Sequence, residues 1–407
     1  MSLDDRSPLR VAILATHPIQ YQVPLWRRLV LDQRLEVRVF YGSDLSVRGY
    51  RDKEFGVRVQ WDTPLTAGYA HEFLECDPAL QQLAFFRPAG HGIGAAFDRF
   101  RPDVVLLNAY NGLYWLRALL AARLRGIPVV MRHEASDEAQ ARGLVKAVLR
   151  DLALRILYMQ VERFAAIGTN ARRHLRRLGV PATRIGGSPY CVDSEELERQ
   201  YAFWLPRRAE RRRELGVGQD DLVFVFSGKL IPKKQPLMLV AALAQLAPGF
   251  LERVHLIVLG DGEQRAEMER QCREVLGARL HMAGFVNQSQ LGRWFVAGDC
   301  LVLPSRRGSG ETWGLVVNEA LLFGLHVIVS DAVGCAPDLV DDMTGAVFDA
   351  TSAAGLAAAI HDFGGGVRPE SGAAREKISS YSIEVAARGV NTDLYQAMRY
   401  THSVSNL

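Results

Sequence analysis

Cysteine is scarce in this 407-residue chain and badly placed for bridging. Its five cysteines (Cys76, Cys191, Cys272, Cys300, Cys335) are odd in number and widely spaced, with no C-x-x-C pair. That argues against a disulfide framework or zinc knuckle and leaves free buried thiols in a reducing cytosol as the expectation. Long apolar runs are also missing. The richest stretch, LYWLRALLAARLRG, is broken by arginines, so no membrane-spanning helix is expected. The opening MSLDDRSPLR is acidic and polar, which does not fit a signal peptide. Neither sign of charge dominates: 49 basic residues against 45 acidic leave +4, too even for a dedicated nucleic-acid binder. No G-x-G-x-x-G follows the first strand-like run, which disfavours a nicotinamide-dependent oxidoreductase, and no D-x-D follows a strand.

What is present is an alternation of apolar runs with longer helical patterns. Strand candidates are 9–16, 35–41, 103–108, 127–133 and 164–168, then 222–228, 254–260, 280–285, 300–305 and 326–330. They are nearly continuous in Val, Ile and Leu, as strands of a parallel sheet covered by helices on both faces are. The chain exceeds one ordinary core and suits two domains of roughly 150–200 residues. A charged segment without strand pattern, 195–220, separates the two series. The expected architecture is α/β, two Rossmann-like doubly wound domains facing across a cleft. The expected bounds are 1–192 and 193–375, with a C-terminal helix, 376–407, packing back toward the first domain. Ligands of open α/β sheets bind beyond the carboxyl ends of strands, so the loops there carry the candidate chemistry.

After LVFVFSG comes KLIPKKQP, whose Lys229, Lys233 and Lys234 form a cationic cluster suited to phosphate or simply to solvent. After CLVLPS comes RRGSGETWGLVVNEALLFG, a glycine-rich loop running into a helix start, where free N–H groups bind anions. Glu311 lies in that loop. Glu319 lies in the helix, on the face of Leu315, Val316, Leu322 and Phe323, where a carboxylate is costly unless something donates to it. The vicinal hydroxyls of a ribose would do so, and sugar hydroxyls would serve Glu311. Lysines, helix-start amides and two such carboxylates together describe a nucleotide diphosphate sugar. In the first half, His17 ends the first strand, and His133 follows IPVVMR between Arg132 and Glu134. These four are cleft candidates, with a structural role as the competing reading.

The E-x7-E spacing inside ETWGLVVNEA, with SGKLIPKK, LIVLGDGEQRAEME, HMAGFVNQSQL, GLHVIVSDAVGCAPDLV and the junction SPYCVD, resembles the retaining GT-B glycosyltransferases of family 4 (glycosyl transferases group 1). RPDVVLLN, IPVVMRHE and AIGTNARRHLRRLGV extend the resemblance, more loosely, through the first half. The resemblance implies that Glu319 binds the donor ribose and Glu311 the transferred sugar. It puts the diphosphate at Lys234, at the amides of Trp313, Gly314 and Leu315, and at the loop of Gly228 and Lys229. Lys229 stands where the family usually has arginine, so a point charge replaces a fork. Phe285 and Val286 fall where the base is held, and His133 falls near the histidine beside the sugar. His17, Arg132 and Glu134 are expected toward the acceptor.

The implied reaction moves a hexosyl unit from a UDP- or GDP-sugar to a hydroxyl of a glycan, a lipid-linked saccharide or a small molecule. Retention of configuration is implied, with no metal, no cofactor beyond the sugar nucleotide and no nucleic acid. The expected setting is polysaccharide biosynthesis in the cytoplasm. Two rivals share the nucleotide site: a GT-B nucleotide-sugar epimerase and a non-catalytic sugar-nucleotide binder. The arginine-rich pieces RRHLRR (172–177) and PRRAERRR (206–213) read either as docking to anionic lipid on the cytoplasmic face or as solvated helix faces.

Overall fold

A computed structural model describes residues 7–51, 58–78, 80–137, 143–366 and 371–404. Residues 1–6, part of the opening read above as unlike a signal peptide, lie outside these ranges, as do 52–57 and 405–407 of the tail. The first sheet contains β1 (Leu9–Ala15), β2 (Leu35–Tyr41), β5 (Ala70–Phe73), β6 (Val104–Leu107), β7 (Val129–His133), β8 (Arg163–Ala166) and β9 (Ile185–Gly187). Its order is β5-β2-β1-β6-β7-β8-β9, with every pair parallel. A short antiparallel hairpin, β3 (Tyr50–Arg51) and β4 (Arg58–Val59), stands outside it. The second sheet contains β10 (Leu222–Ser227), β11 (Val254–Leu259), β12 (Leu280–Gly284), β13 (Cys300–Leu303), β14 (His326–Ser330) and β15 (Gly345–Phe348). It too is parallel throughout, in the order β12-β11-β10-β13-β14-β15.

The continuous apolar runs explain the burial. Strands β11 and β13 are buried at every position, because helices cover both faces. Both sheets have their order reversal beside the first strand of their series, β1 and β10, which opens a crevice at the carboxyl ends there. Besides the hairpin strands β3 and β4, three strands of the two sheets go beyond the sequence-based expectation: β5, β9 and β15. All are short sheet edges, and AHEF and IGG lack an apolar run.

The helices Ile93–Phe100, Leu113–Arg123, Leu144–Met159 and Thr169–Arg177 share a core on one face of the first sheet. The opposite face is covered by Val23–Leu29 and by the C-terminal helix Ile383–Val404, whose Ala386, Val390 and Leu394 are fully buried against it. That C-terminal helix is locked to β8 by Arg163 Nε donating to the buried Asp393 Oδ1 at 2.8 Å. It also approaches β9 backbone to backbone. A Cβ on Gly389 would stand 1.8 Å from the Gly187 carbonyl oxygen. Gly389→Val is therefore expected to lose about 2–3 kcal/mol in urea unfolding, an overpacking cost. Gly365→Ala is the control, since a Cβ there meets nothing within 4 Å.

Of the five arginines of 206–213, Arg207 and Arg213 are exposed and the other three are held by the protein. Arg208 and Arg212 converge on Asp299, at 2.6 and 3.0 Å, and bind carbonyls at the end of the preceding helix. Arg211 pairs with Glu214 and lies over the Trp294 ring. In the other cluster, Arg177 bridges Asp137 and Asp151.

Candidate functional site

Strand β10 delivers the lysine loop. Gly228 continues the sheet by donating to Leu259, and Pro232–Lys234 form a single 3₁₀ turn. The loop rests on the G-D-G turn after β11, which the sequence makes look like an ordinary connection. A Cβ on Gly260 would lie 1.9 Å from the Gly228 carbonyl oxygen, and one on Gly262 2.5 Å from that of Leu230. These glycines thus permit the close approach that fixes the lysines. Lys234 Nζ forms an ion pair with Glu311 Oε2, although 77 residues separate them, and Ser305 Oγ donates to the same oxygen at 2.9 Å. Burial alone would raise the Glu311 pKa, but the Lys234 ammonium and the two hydrogen bonds reverse this and hold it below the ordinary value.

From β13 the chain runs through the glycine-rich loop to Gly314, at φ 105°, and the helix Leu315–Leu322 begins. The N–H groups of Leu315 and Val316 meet no acceptor among the described residues, the condition of an anion-binding helix start. Glu319 points inward from this helix and is 9% exposed. Among the described residues one donor reaches it, Gln288 Nε2, at a long 3.4 Å. Burial accordingly pushes its pKa up to about 7, against the smaller pull of that hydrogen bond. The carboxyl lines a cavity of about 210 Å³ between the two domains, with Leu315 and Gln288 on one side and Gln20, Tyr21 and Arg27 on the other.

A second cavity, about 390 Å³, opens within the first domain and shares Tyr21 with the first. It contains two of the four N-domain candidates, His17 and Glu134. His17 Nδ1 is 3.0 Å from Thr16 Oγ1, and burial lowers its pKa to about 4, so the ring is neutral at pH 7. Glu134 accepts from the Tyr190 hydroxyl at 2.9 Å, and burial raises its pKa despite that bond and the nearby Arg132.

The other two candidates face elsewhere. Arg132 is buried, donates to Ser188 Oγ and the Pro189 carbonyl, and stacks over Tyr190; it holds the domain junction and has no access to the cavity. His133 is 1% exposed, and its Nε2 is 2.6 Å from the Tyr158 hydroxyl. It stacks between Tyr110 and His174, and burial depresses its pKa far below 6.5. The expected histidine beside a sugar is thus a core group, and the adjacent Glu134 is the side chain at the cavity.

Phe285 meets Trp61 of the first domain at 6.1 Å between centroids, Val286 packs on the core, and Asn287 donates to the Gln60 carbonyl. The Trp313 ring is turned away from the lysine loop. Its Nε1 donates to Asn318, its edge meets Tyr190, and it presses on Gly168. Beside it, Asp338 accepts from the Thr169 amide and hydroxyl, capping a first-domain helix from the second domain. Gln288, Tyr190, Asn318 and Asp338 are site or junction residues that sequence reasoning leaves unassigned. The only available signal for Asp338 is its place in GCAPDLV, opposite a Gly-Thr helix start with no cap of its own.

Residues 207–364 match the family described as glycosyl transferases group 1, and residues 20–190 match the glycosyl transferase 4-like domain. D-inositol 3-phosphate glycosyltransferase of Streptomyces avermitilis is 30% identical over 392 residues, covering 88% of this chain and 80% of that protein. Among solved structures, sucrose-phosphate synthase of Thermosynechococcus elongatus superposes with a TM-score of 0.68 at 17% identity, over 96% of this chain and 99% of that one. HepE of Anabaena in complex with UDP and glucose gives a TM-score of 0.62 at 17% identity, over 98% and 100%. The fold is GT-B, and the chain belongs to the family 4, group 1 glycosyltransferases.

Proposed function

We propose that the enzyme moves a hexosyl unit, with retention of configuration, from a nucleotide diphosphate sugar to an acceptor hydroxyl seated in the first-domain cavity. The observation that carries this reading is Glu319: a buried carboxyl with one weak donor, aimed into an interdomain cavity beside a helix start with unsatisfied amides. Ribose hydroxyls would donate to it, while the amides of Leu315 and Val316 and the cations Lys229 and Lys234 would take the diphosphate. In that complex Lys234 passes from Glu311 to phosphate and Glu311 takes sugar hydroxyls. The charge developing on the leaving diphosphate is then met by groups already in place, with no metal required. Retention follows if the acceptor hydroxyl attacks from the leaving-group side and gives its proton to the departing diphosphate. Glu134 and His17, sharing the cavity, orient that hydroxyl.

UDP is the first donor nucleotide to test, because HepE is complexed with it, and D-inositol 3-phosphate, which the relative's name gives, is one acceptor to include. The protein is incubated with labelled UDP- and GDP-sugars, with and without acceptors. Acceptor-dependent release of nucleoside diphosphate is expected, falling roughly a hundredfold in Glu311→Ala. An epimerised sugar nucleotide, or binding without turnover, would overturn the transfer reading. The anomeric configuration of the product, read by NMR coupling constants, checks retention.

A further inference from the structure

The helix Leu144–Met159 buries its inner side against the first sheet through Leu154 and Tyr158. Its outer side is also apolar. Val145, Val148, Leu149, Leu152, Ile156 and Met159 are each 53–74% exposed. The steps 145, 149, 152, 156 and 159 alternate four and three, so these side chains form one stripe of about 21 Å, at 1.5 Å per residue. The helix before it, Leu113–Arg123, exposes Leu116 and Leu120 one turn apart. It lies on the same face of the sheet, since β6, β7 and β8 are successive neighbours joined by right-handed crossovers. An exposed apolar surface of this length on a folded domain marks an interaction site.

The charges around the stripe select the occupant. Across 113–125 and 144–159 the chain places Arg117, Arg123, Arg125, Lys146, Arg150 and Arg155 against one acid, Asp151, which Arg177 already binds. Arg123 and Arg125 are paired with Glu162 and Asp98 at the border, while Lys146 and Arg155 flank the stripe itself and are exposed. Two copies meeting here would oppose their own lysines and arginines with no acid on the stripe to pair them. An apolar stripe edged by cations fits an anionic lipid surface, with the side chains in the acyl boundary and the cations at headgroup level. We infer that this face of the first domain docks on anionic bilayers. Phe85, at the rim of the first-domain cavity, and its exposed neighbour Phe86 lie at the start of the adjoining helix, so a docked membrane would lie beside the cavity mouth.

The test is co-sedimentation of the full chain with phosphatidylcholine vesicles, with and without phosphatidylglycerol. Binding is expected only to the anionic vesicles and should weaken with salt. Leu149→Glu with Leu152→Glu should lower partition by about tenfold or more. Lys146→Gln with Arg155→Gln, which leaves the apolar stripe intact, should lower it about fivefold per cation removed. All four positions are on the outer side of the helix, and unchanged far-UV circular dichroism verifies folding. Three results would each overturn the inference: no pelleting with anionic vesicles at low salt, pelleting indifferent to either variant, or a dimer in light scattering that the double glutamate variant converts to monomer. Sedimentation needs no sugar nucleotide, so its failure would leave the transfer reading standing.

Discussion

Lys234→Ala is expected to cost about 3 kcal/mol of stability at pH 7, more than loss of an exposed ion pair would. Lys234 and Glu311 are only 15% and 14% exposed, so each is the main reason the other is tolerated in the cleft wall. Removing the ammonium leaves a buried carboxylate with Ser305 as its remaining donor. The pH dependence identifies the cause. With Lys234 present, the Glu311 pKa lies below its unfolded value, so the pair adds stability above the unfolded pKa and loses it as pH falls through the folded one. Without Lys234, burial dominates and the pKa lies above the unfolded value. The variant's deficit is then full at neutral pH and shrinks as the carboxyl protonates toward pH 4.5. Adding Glu311→Gln should restore most of the stability without restoring turnover, since both groups proposed for donor binding are then gone. Urea unfolding at pH 7 and pH 4.5 decides this. A single variant within 1 kcal/mol of wild type at pH 7 would mean that the pair is effectively solvated.

Which parts of this arrangement the sequence discloses depends on the range of the interaction. Strands such as Leu222–Ser227 are legible because burial on both faces demands an unbroken apolar run. Edge strands Ala70–Phe73 and Ile185–Gly187 are not, since each pairs on one side alone and AHEF and IGG carry no apolar run. The inward aim of Glu319 is legible from helical periodicity alone. Its weak partner Gln288 sits on another loop and is not. His133 and Glu134 show the limit of local reasoning. They are adjacent at a strand end, so they leave on opposite sides of the chain, and only the packing of Tyr158 and His174 decides which is core. The arginines of 206–213 form a conspicuous charge run, yet Asp299, near ninety residues away in sequence, draws two of them inward.

Glu319→Gln should be more stable than wild type above pH 7 and should bind nucleotide less tightly. In the native state burial places the carboxyl near pH 7, against an ordinary value of 4.5. Between those values the native protein holds a proton that the unfolded chain has released, so wild-type stability falls as pH rises through this window. The neutral amide of the variant carries no such cost, so it should gain about 3 kcal/mol by pH 8 and nothing below pH 4.5, at 1.36 kcal/mol per unit. The same charge is what a ribose would use. Two hydroxyls donating to a carboxylate favour its ionised form, so UDP binding near pH 6 should release close to one proton, seen as buffer-dependent heat in calorimetry. In the variant that release should vanish and affinity for UDP should fall about 10–100-fold, the worth of hydrogen bonds to a charged acceptor. The stability gain and the affinity loss test separate statements. A gain without a loss would leave Glu319 as a buried acid with no ligand, and the ribose assignment would fail. A loss without a gain would place the carboxyl in water already, and burial would not be the reason it awaits a donor.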